Sequence, residues 1–270
     1  MSGIISIIVL SWNRLHYTRQ TIECLLKKTT VPNELILVDN NSDESTGVKK
    51  YLKGVTGNKY TENIIHVFNK ANRGVAGGRN SGIHVCSGEY IFNIDDDILV
   101  PDNYDKMMID ACDKIAKLGV VGISVEPFKY PKATMNGVPV RIKSVGNING
   151  AALCLPRRVF KIVGYYNSFG TNLYSHEDAY LSYVLKHLGL IGVYIPPRGV
   201  HLDKDLDKEY RKAKNKTHVK GSPELSSLSG AVMLMKKTNN VYTPYTEFGL
   251  DKQPDTHTKF DNDLILKGRK

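Results

Sequence analysis

Three consecutive carboxylates, Asp95, Asp96 and Asp97, end the apolar run FNIDDDILV, Phe92 to Val100. A carboxylate leaving water is costly and like charges repel, so an acidic knot at the end of a core strand calls for a compensating cation. Oxygen ligands of this kind suit Mg²⁺ or Mn²⁺, which keep open positions for phosphate oxygens. On an extended segment residues two apart project to one side, so Asp95 and Asp97 are expected to share a site. A solvated acidic turn ahead of a helix beginning at Asp102 is the structural alternative. Other groups able to do chemistry are the acidic pair Glu177-Asp178 in HEDAYLSYVLKHLG, Arg79 in the glycine-rich NKANRGVAGGRNSGI, and His201 at the end of PPRGVHL.

These residues must be positioned by regular elements. Ile4–Leu10, Leu35–Asp39, Ile64–Phe68, Tyr90–Ile94 and Val120–Val125 read as strands. Thr18–Lys28, Val48–Lys53, Val75–Val85 and Asp102–Leu118 read as the helices between them, with Ile22, Leu25 and Leu26 on one face of the first. That rhythm predicts an α/β fold: a Rossmann-like, mostly parallel central sheet flanked by helices. Ala151–Leu155 reads as a further strand, Arg157–Val163 and Glu177–Leu188 as helices, and Val193–Ile195 leads through PPRG to Val200–His201. The Pro- and Gly-containing stretch 126–149 is expected to form loops or a hairpin over the sheet. Ligands of open α/β sheets bind at the carboxyl ends of the strands. In a parallel sheet Ser11-Trp12-Asn13, Asp39-Asn40-Asn41 and the three aspartates would converge on one such edge.

The ordered motifs SIIVLSWNR, ELILVDNNSDEST, NKANRGVAGGRNSGI, GEYIFNIDDDILV and YSHEDAYLSYVLKHLG resemble those of family 2 glycosyltransferases of the GT-A fold, from about Ile4 to His201. That resemblance implies a role for each matching residue. Asp39 would accept the uracil N3–H of a UDP-sugar, and a carboxylate there prefers uracil to cytosine, whose N3 is an acceptor. An Asx-turn at VDNNSD is the structural reading of the same residue. Asn13 falls where the family's loop contacts nucleotide. The stretch Asn72–Asn80 matches a glycine-rich turn into a helix, from which Arg79 would reach base or diphosphate and Gly74, Gly77 and Gly78 would allow close approach. Asp95 and Asp97 match the D-x-D pair, with Asp97 the direct metal ligand, Asp95 nearer the ribose or the metal's waters, and Asp96 between them on the donor side. His201 falls where relatives complete the metal site. Asp178, with Glu177 beside it, matches the family's base at a helix start, although acids there also complement a helix dipole and Ser175 and Asp178 have capping-box-like spacing.

The expected reaction is single-sugar transfer with inversion, from a UDP-sugar with Mn²⁺ or Mg²⁺, to a hydroxyl of a glycan or surface-polymer precursor. The Q-x-x-R-W helix of processive members is absent from the sequence. Transfer to modified bases of DNA, a sugar nucleotidyltransferase, and a non-enzymatic basic nucleic-acid-binding module are the alternatives. The nucleotidyltransferase would need a glycine-rich phosphate loop after the first strand, and SWNRLHYT is not one. The balance of 37 Lys plus Arg against 27 Asp plus Glu, a net charge of +10, favours anionic partners without choosing among them. In Lys208–Lys220 there are six basic residues and one acid, a solvated face or a clamp for diphosphate or an anionic acceptor. Cys24, Cys86, Cys112 and Cys154 form no CxxC pair and read as buried thiols of a reducing compartment. No apolar run approaches the roughly 18 residues of a membrane span, and a cytoplasmic protein is expected. One GT-A domain is expected over 1–203, its nucleotide-sugar half 1–100 and its acceptor half 101–203, with a basic extension 204–270 packed on it.

Overall fold

A computed structural model describes residues 4–127, 130–142, 148–166 and 177–203, with residues 208 and 212. Ser175 and nearly all of the 204–270 extension, including the clamp read at Lys208–Lys220, lie outside the described residues.

The β-branched runs form β1 (Ile5–Ser11), β2 (Asn33–Asp39), β3 (Thr61–Phe68) and β4 (Tyr90–Asp95), alternating with α1 (Leu15–Lys28), α2 (Val48–Lys53) and α3 (Gly74–Val85). There follow β5 (Ile98–Leu99), α4 (Tyr104–Lys114), β6 (Leu118–Gly122), the strands β7 (Lys132–Met135) and β8 (Val138–Ile142), β9 (Ala152–Pro156) and α5 (Arg157–Val163). The described chain continues through α6 (Glu177–His187), β10 (Ile191–Tyr194) and β11 (Val200–His201). The main sheet has the order β3-β2-β1-β4-β9-β6-β10-β8-β7, and only β9 and β8 run against the rest.

Three expectations are corrected here. The segment read as Ala151–Leu155 is a strand, but it wedges antiparallel between β4 and β6. The stretch 126–149 does contain a hairpin, but the hairpin prolongs the sheet edge beside β10. Its turn, Asn136-Gly137, has φ of 47° and 78°, the left-handed pair that matches strand twist. The helix read as Asp102–Leu118 is shorter, because Ile115 takes an extended conformation and the chain turns into β6.

Alternation along the strands sends side chains to two cores. Ile7, Val9, Phe92 and Ile94 meet Tyr104 and Met108 of α4 on one face. Ile8, Val38, Ile91, Leu153 and Leu155 meet Phe160, Leu181 and Leu185 under α3, α5 and α6 on the other. Full burial of each such side chain stabilises the fold by roughly 1.5–3 kcal/mol. Helix α3 lies unusually close to the sheet because Gly82 has no side chain: a Cβ there would stand 2.5 Å from Ile8 Cγ2 and 3.1 Å from Val38 Cγ2. That approach brings the next turn of the helix, with Arg79, over the carboxyl edge. All four cysteines are free. No helix among the described residues is long and apolar enough to cross a membrane.

Candidate active site

Strand register assembles the polar edge. Ser11 pairs with Asp39 and Leu10 with Asp95, so the ends of β2, β1 and β4 lie side by side. Asp39 is buried at 2% exposure and its Oδ1 accepts the Ser42 N–H at 3.1 Å, so the Asx-turn forms. Asn13, at φ 61°, ties the loops after β1 and β2 together. Its Nδ2 donates to Asp43 Oδ2 at 2.9 Å, its Oδ1 accepts the Asp43 N–H at 2.7 Å, and its own N–H reaches Ser42 Oγ at 2.9 Å. Asn72 builds the turn into α3, its Oδ1 accepting from Asn40 Nδ2 and from the Gly74 N–H, each at 2.9 Å. The side chains of Asn13 and Asn72 thus shape the edge through the loops they hold.

Arg79 is the hub of the site. Its guanidinium, 3% exposed, donates to Asp95 Oδ1 at 2.5 Å, to Glu177 Oε1 at 3.2 Å and to the Gly150 carbonyl at 2.9 Å, and lies 5.4 Å from the ring centre of Tyr166. Burial opposes its charge, but Asp95 and Glu177 more than restore it, so Arg79 stays cationic. It joins the end of β4 to the first turn of α6, residues far apart in sequence. Burial raises the Asp95 carboxyl above its usual range although Arg79 opposes the shift.

Asp95 and Asp97 do not share their partners as period-two alternation suggested. β4 ends at Asp95, and Asp96 and Asp97 form a turn before β5, where strand alternation no longer applies. Asp97 accepts from Arg14 Nη1 at 2.9 Å and lies 3.2 Å from His201 Nε2, both on Oδ2. Asp96, 4% exposed, is turned into α1, accepting from Arg14 Nη2 at 2.5 Å and Thr18 Oγ1 at 3.2 Å. Its carboxylate braces the turn, so contact with a donor is not the part this geometry gives it. Burial works against an ionised Asp97, yet the His201 hydrogen bond and the Arg14 charge outweigh it and hold the carboxyl below its usual range. His201 arrives because β11 pairs antiparallel with β5, setting it opposite Ile98.

Two residues here went unnoticed in the sequence. Arg14, at the N-terminus of α1, also donates to Asp203 Oδ2 at 3.0 Å, and Asp203 is 2% exposed. One buried guanidinium therefore neutralises carboxylates at three positions. The only available signal was arithmetic: three adjacent acids at a buried strand end require a nearby cation, and Arg14 follows the strand-end loop Ser11-Trp12-Asn13. Among the described residues no three His, Cys, Asp or Glu side chains are gathered closely enough to hold a metal by themselves. Asp97 with His201 supplies one oxygen and one nitrogen ligand, and Asp95 stands apart on Arg79.

Asp178 Oδ2 accepts the Gly150 N–H at 3.2 Å, so residue 150 touches the expected base through its N–H and Arg79 through its carbonyl. A Cβ on Gly150 would lie 3.1 Å from Arg79 Nη1 and 3.3 Å from Asp178 Cβ, so only glycine leaves that junction undisturbed. Beside it, burial raises the Glu177 carboxyl to about 7, Arg79 opposing and Asp178 adding to the shift.

Comparison with known proteins bears on the family and the fold. Residues 6–158 match the model of glycosyl transferase family 2, more than half of the chain. An uncharacterized glycosyltransferase of Escherichia coli, YibD, is 30% identical over 152 residues, covering 54% of this chain and 41% of its own. The glycosyltransferase GlyG of Streptococcus pneumoniae is 34% identical over 104 residues, covering 38% of this chain and 33% of its own. The chain thus spans less than half the length of these two relatives. Among solved structures, GalNAc-T7 with UDP, GalNAc and Mn²⁺ superposes with a TM-score of 0.57 at 16% identity, covering 74% of this chain and 44% of that one. The mannosyltransferase PcManGT of Pyrobaculum calidifontis, in complex with GDP-Man and Mn²⁺, gives 0.57 at 12% identity, covering 100% of this chain and 86% of that one. The sheet and its flanking helices are those of a GT-A fold, and the chain belongs to glycosyltransferase family 2.

Proposed function

We propose that this domain transfers a single sugar, with inversion, from a nucleoside diphosphate sugar to a hydroxyl acceptor such as a glycan or surface-polymer precursor. The observation that carries this reading is the Arg79 junction, which links the acid ending β4 to the acidic pair opening α6. A donor lying along the strand ends would meet Asp39 at its base and Asp95 near its ribose. Asp39 Oδ1 is engaged by Ser42, which leaves the second oxygen to accept an N–H of the base. Uracil N3–H meets that need and cytosine N3 does not; guanine N1–H meets it too. UDP is the favoured carrier and GDP the one to test beside it, since solved relatives of this fold hold one or the other.

Asp178 takes the proton of the acceptor hydroxyl as that oxygen attacks the anomeric carbon. The Gly150 N–H orients its carboxylate, and Arg79 fixes Glu177 next to it. Asp97 and His201 are the residues that would hold a divalent cation. One carboxylate kept ionised plus one imidazole is a donor set that fits Mn²⁺ and leaves positions for diphosphate oxygens. When bound, such an ion offsets the charge growing on the departing diphosphate.

The test is Asp178→Asn, assayed for sugar transfer and, separately, for UDP and GDP binding by calorimetry with Mn²⁺, Mg²⁺ or EDTA. Transfer should fall by at least 100-fold, an order of magnitude expected for a lost general base, while nucleotide binding survives. A variant that turns over at the wild-type rate refutes the base assignment. Nucleotide binding indifferent to EDTA refutes the cation.

A further inference from the structure

Beneath the Arg79 junction lies a small cavity, partly open to solvent, between β4 and the helices α5 and α6. Most of its wall is apolar, including Ile91, Leu155, Phe160 and Leu181. Its polar groups are few. Glu177 lines it, and so does Tyr166, whose ring also faces the Arg79 guanidinium, so two of the cavity's walls belong to the site above. Asn93 lines it from β4, two residues before Asp95 on the same face of the strand.

Asn93 is 1% exposed, and among the described residues neither its Nδ2 nor its Oδ1 has a hydrogen-bond partner; the buried Tyr166 hydroxyl has none among them either. Buried polar groups are ordinarily paired, and a missing pair points to a ligand or water. Because both ends of the carboxamide lack partners, the conclusion does not depend on which way the amide is turned. Asparagine at this position also has a low β propensity compared with its neighbours Phe92 and Ile94, so local folding does not account for it.

A complementary occupant must donate to Asn93 Oδ1, accept from Asn93 Nδ2, and place an apolar end against Phe160 and Leu181. A secondary amide bearing a short alkyl group does all three. Water would pair the amide while leaving the apolar wall unfilled, and a sugar hydroxyl would do the same. We propose that this cavity receives the acylamino substituent of an amino sugar, held by Asn93 with help from Tyr166, and that it selects an N-acylated sugar as substrate. The inference rests on the sugar-transfer reading of the site above and narrows the substrate class for it. The sugar is either the one carried by the nucleotide or the one that accepts.

The experiment compares binding and turnover of UDP-N-acetylglucosamine with UDP-glucose, and of UDP-N-acetylgalactosamine with UDP-galactose. The corresponding GDP sugars are used if GDP is the carrier. A second arm compares N-acetylglucosamine with glucose as acceptor, read by nucleotide release. Wild-type protein should favour the acylamino member of one pair by about 10-fold or more, the discrimination that a buried polar pairing supports. Asn93→Leu, similar in branched shape and apolar, should erase the preference while free UDP or GDP binds as before. Tyr166→Phe, a smaller change, should weaken the preference and covers the case in which Asn93→Leu fails to fold. A wild-type protein that binds nucleotide yet discriminates in neither arm overturns the inference and leaves the sugar-transfer reading standing. So does a folded Asn93→Leu variant with undiminished preference, in which case the cavity holds water alone. Failure of the wild-type protein to bind either nucleotide overturns both.

Discussion

Replacing Arg14 by glutamine should cost the protein a large part of its stability. Its guanidinium touches Asp96, Asp97 and Asp203, at distances of 2.5, 2.9 and 3.0 Å, and its side chain is 9% exposed. Removing it takes the guanidinium away from three nearly buried carboxylates, of which Asp96 keeps Thr18 and Asp97 keeps His201. Stranding buried charge in this way costs about 3–5 kcal/mol. For a domain of this size that corresponds to a melting temperature lower by roughly 10 °C. The assay is thermal unfolding at neutral pH, with and without Mn²⁺. Without metal, Arg14→Gln should melt roughly 10 °C below wild type, and Arg14→Lys, which keeps the charge and loses the planar fork, should fall between them. Mn²⁺ should raise the melting temperature of the glutamine variant more than that of wild type, because the cation replaces part of the missing charge. An Arg14→Gln variant within about 2 °C of wild type would refute the reasoning, because a clamp on three buried acids cannot be lost so cheaply.

Gly150→Ala should keep the fold and lower transfer by roughly 10- to 100-fold, as expected when reacting groups are displaced by a fraction of an ångström, since the new methyl contacts both Arg79 and Asp178. Circular dichroism with a turnover assay checks it, and unchanged turnover counts against the junction. Glu177→Gln should change the pH dependence of stability. The folded-state carboxyl titrates at about 7 against an ordinary 4.5, so the folded protein holds the extra proton between those values. Its contribution therefore weakens as pH rises from 4.5 to 7 and is level outside that window. The full swing is at most roughly 3 kcal/mol, and the variant's advantage over wild type should grow by up to that amount across the window in urea titrations. A wild-type–variant difference that is flat in pH would show that Glu177 is ionised throughout.

The parallel half of the fold was legible because its strands are short apolar runs closed by turn residues, as in ELILVDNNSD, and the first intervening helix carries an apolar stripe through Ile22 and Leu25. The direction of β9 was not. ALCLP is equally apolar whichever way it runs, and only its partners β4 and β6 fix it. The hairpin turn did carry a signal, Asn136-Gly137 between Lys132–Met135 and Val138–Ile142, and it was subsumed into a loop-rich stretch. Within the site, the individual acids stood out because clustered charge beside apolar sequence is locally improbable. Their partners did not, since Arg14, Gly150 and Asp203 are ordinary residues until folding sets them against an acid or an arginine. Asn93 was hidden by its setting, a polar residue in the middle of a run read as apolar core.

The contact between Arg14 and Asp203 joins residues 189 positions apart. During synthesis the first three strands and α3 can form long before residue 203 leaves the ribosome. Until then Arg14 has only two of its three acids, and His201 has not reached Asp97. A ribosome-tethered chain halted before residue 200 would therefore display the ends of β1, β2 and β4 without the β11 pairing that brings His201 to Asp97 and Asp203 to Arg14.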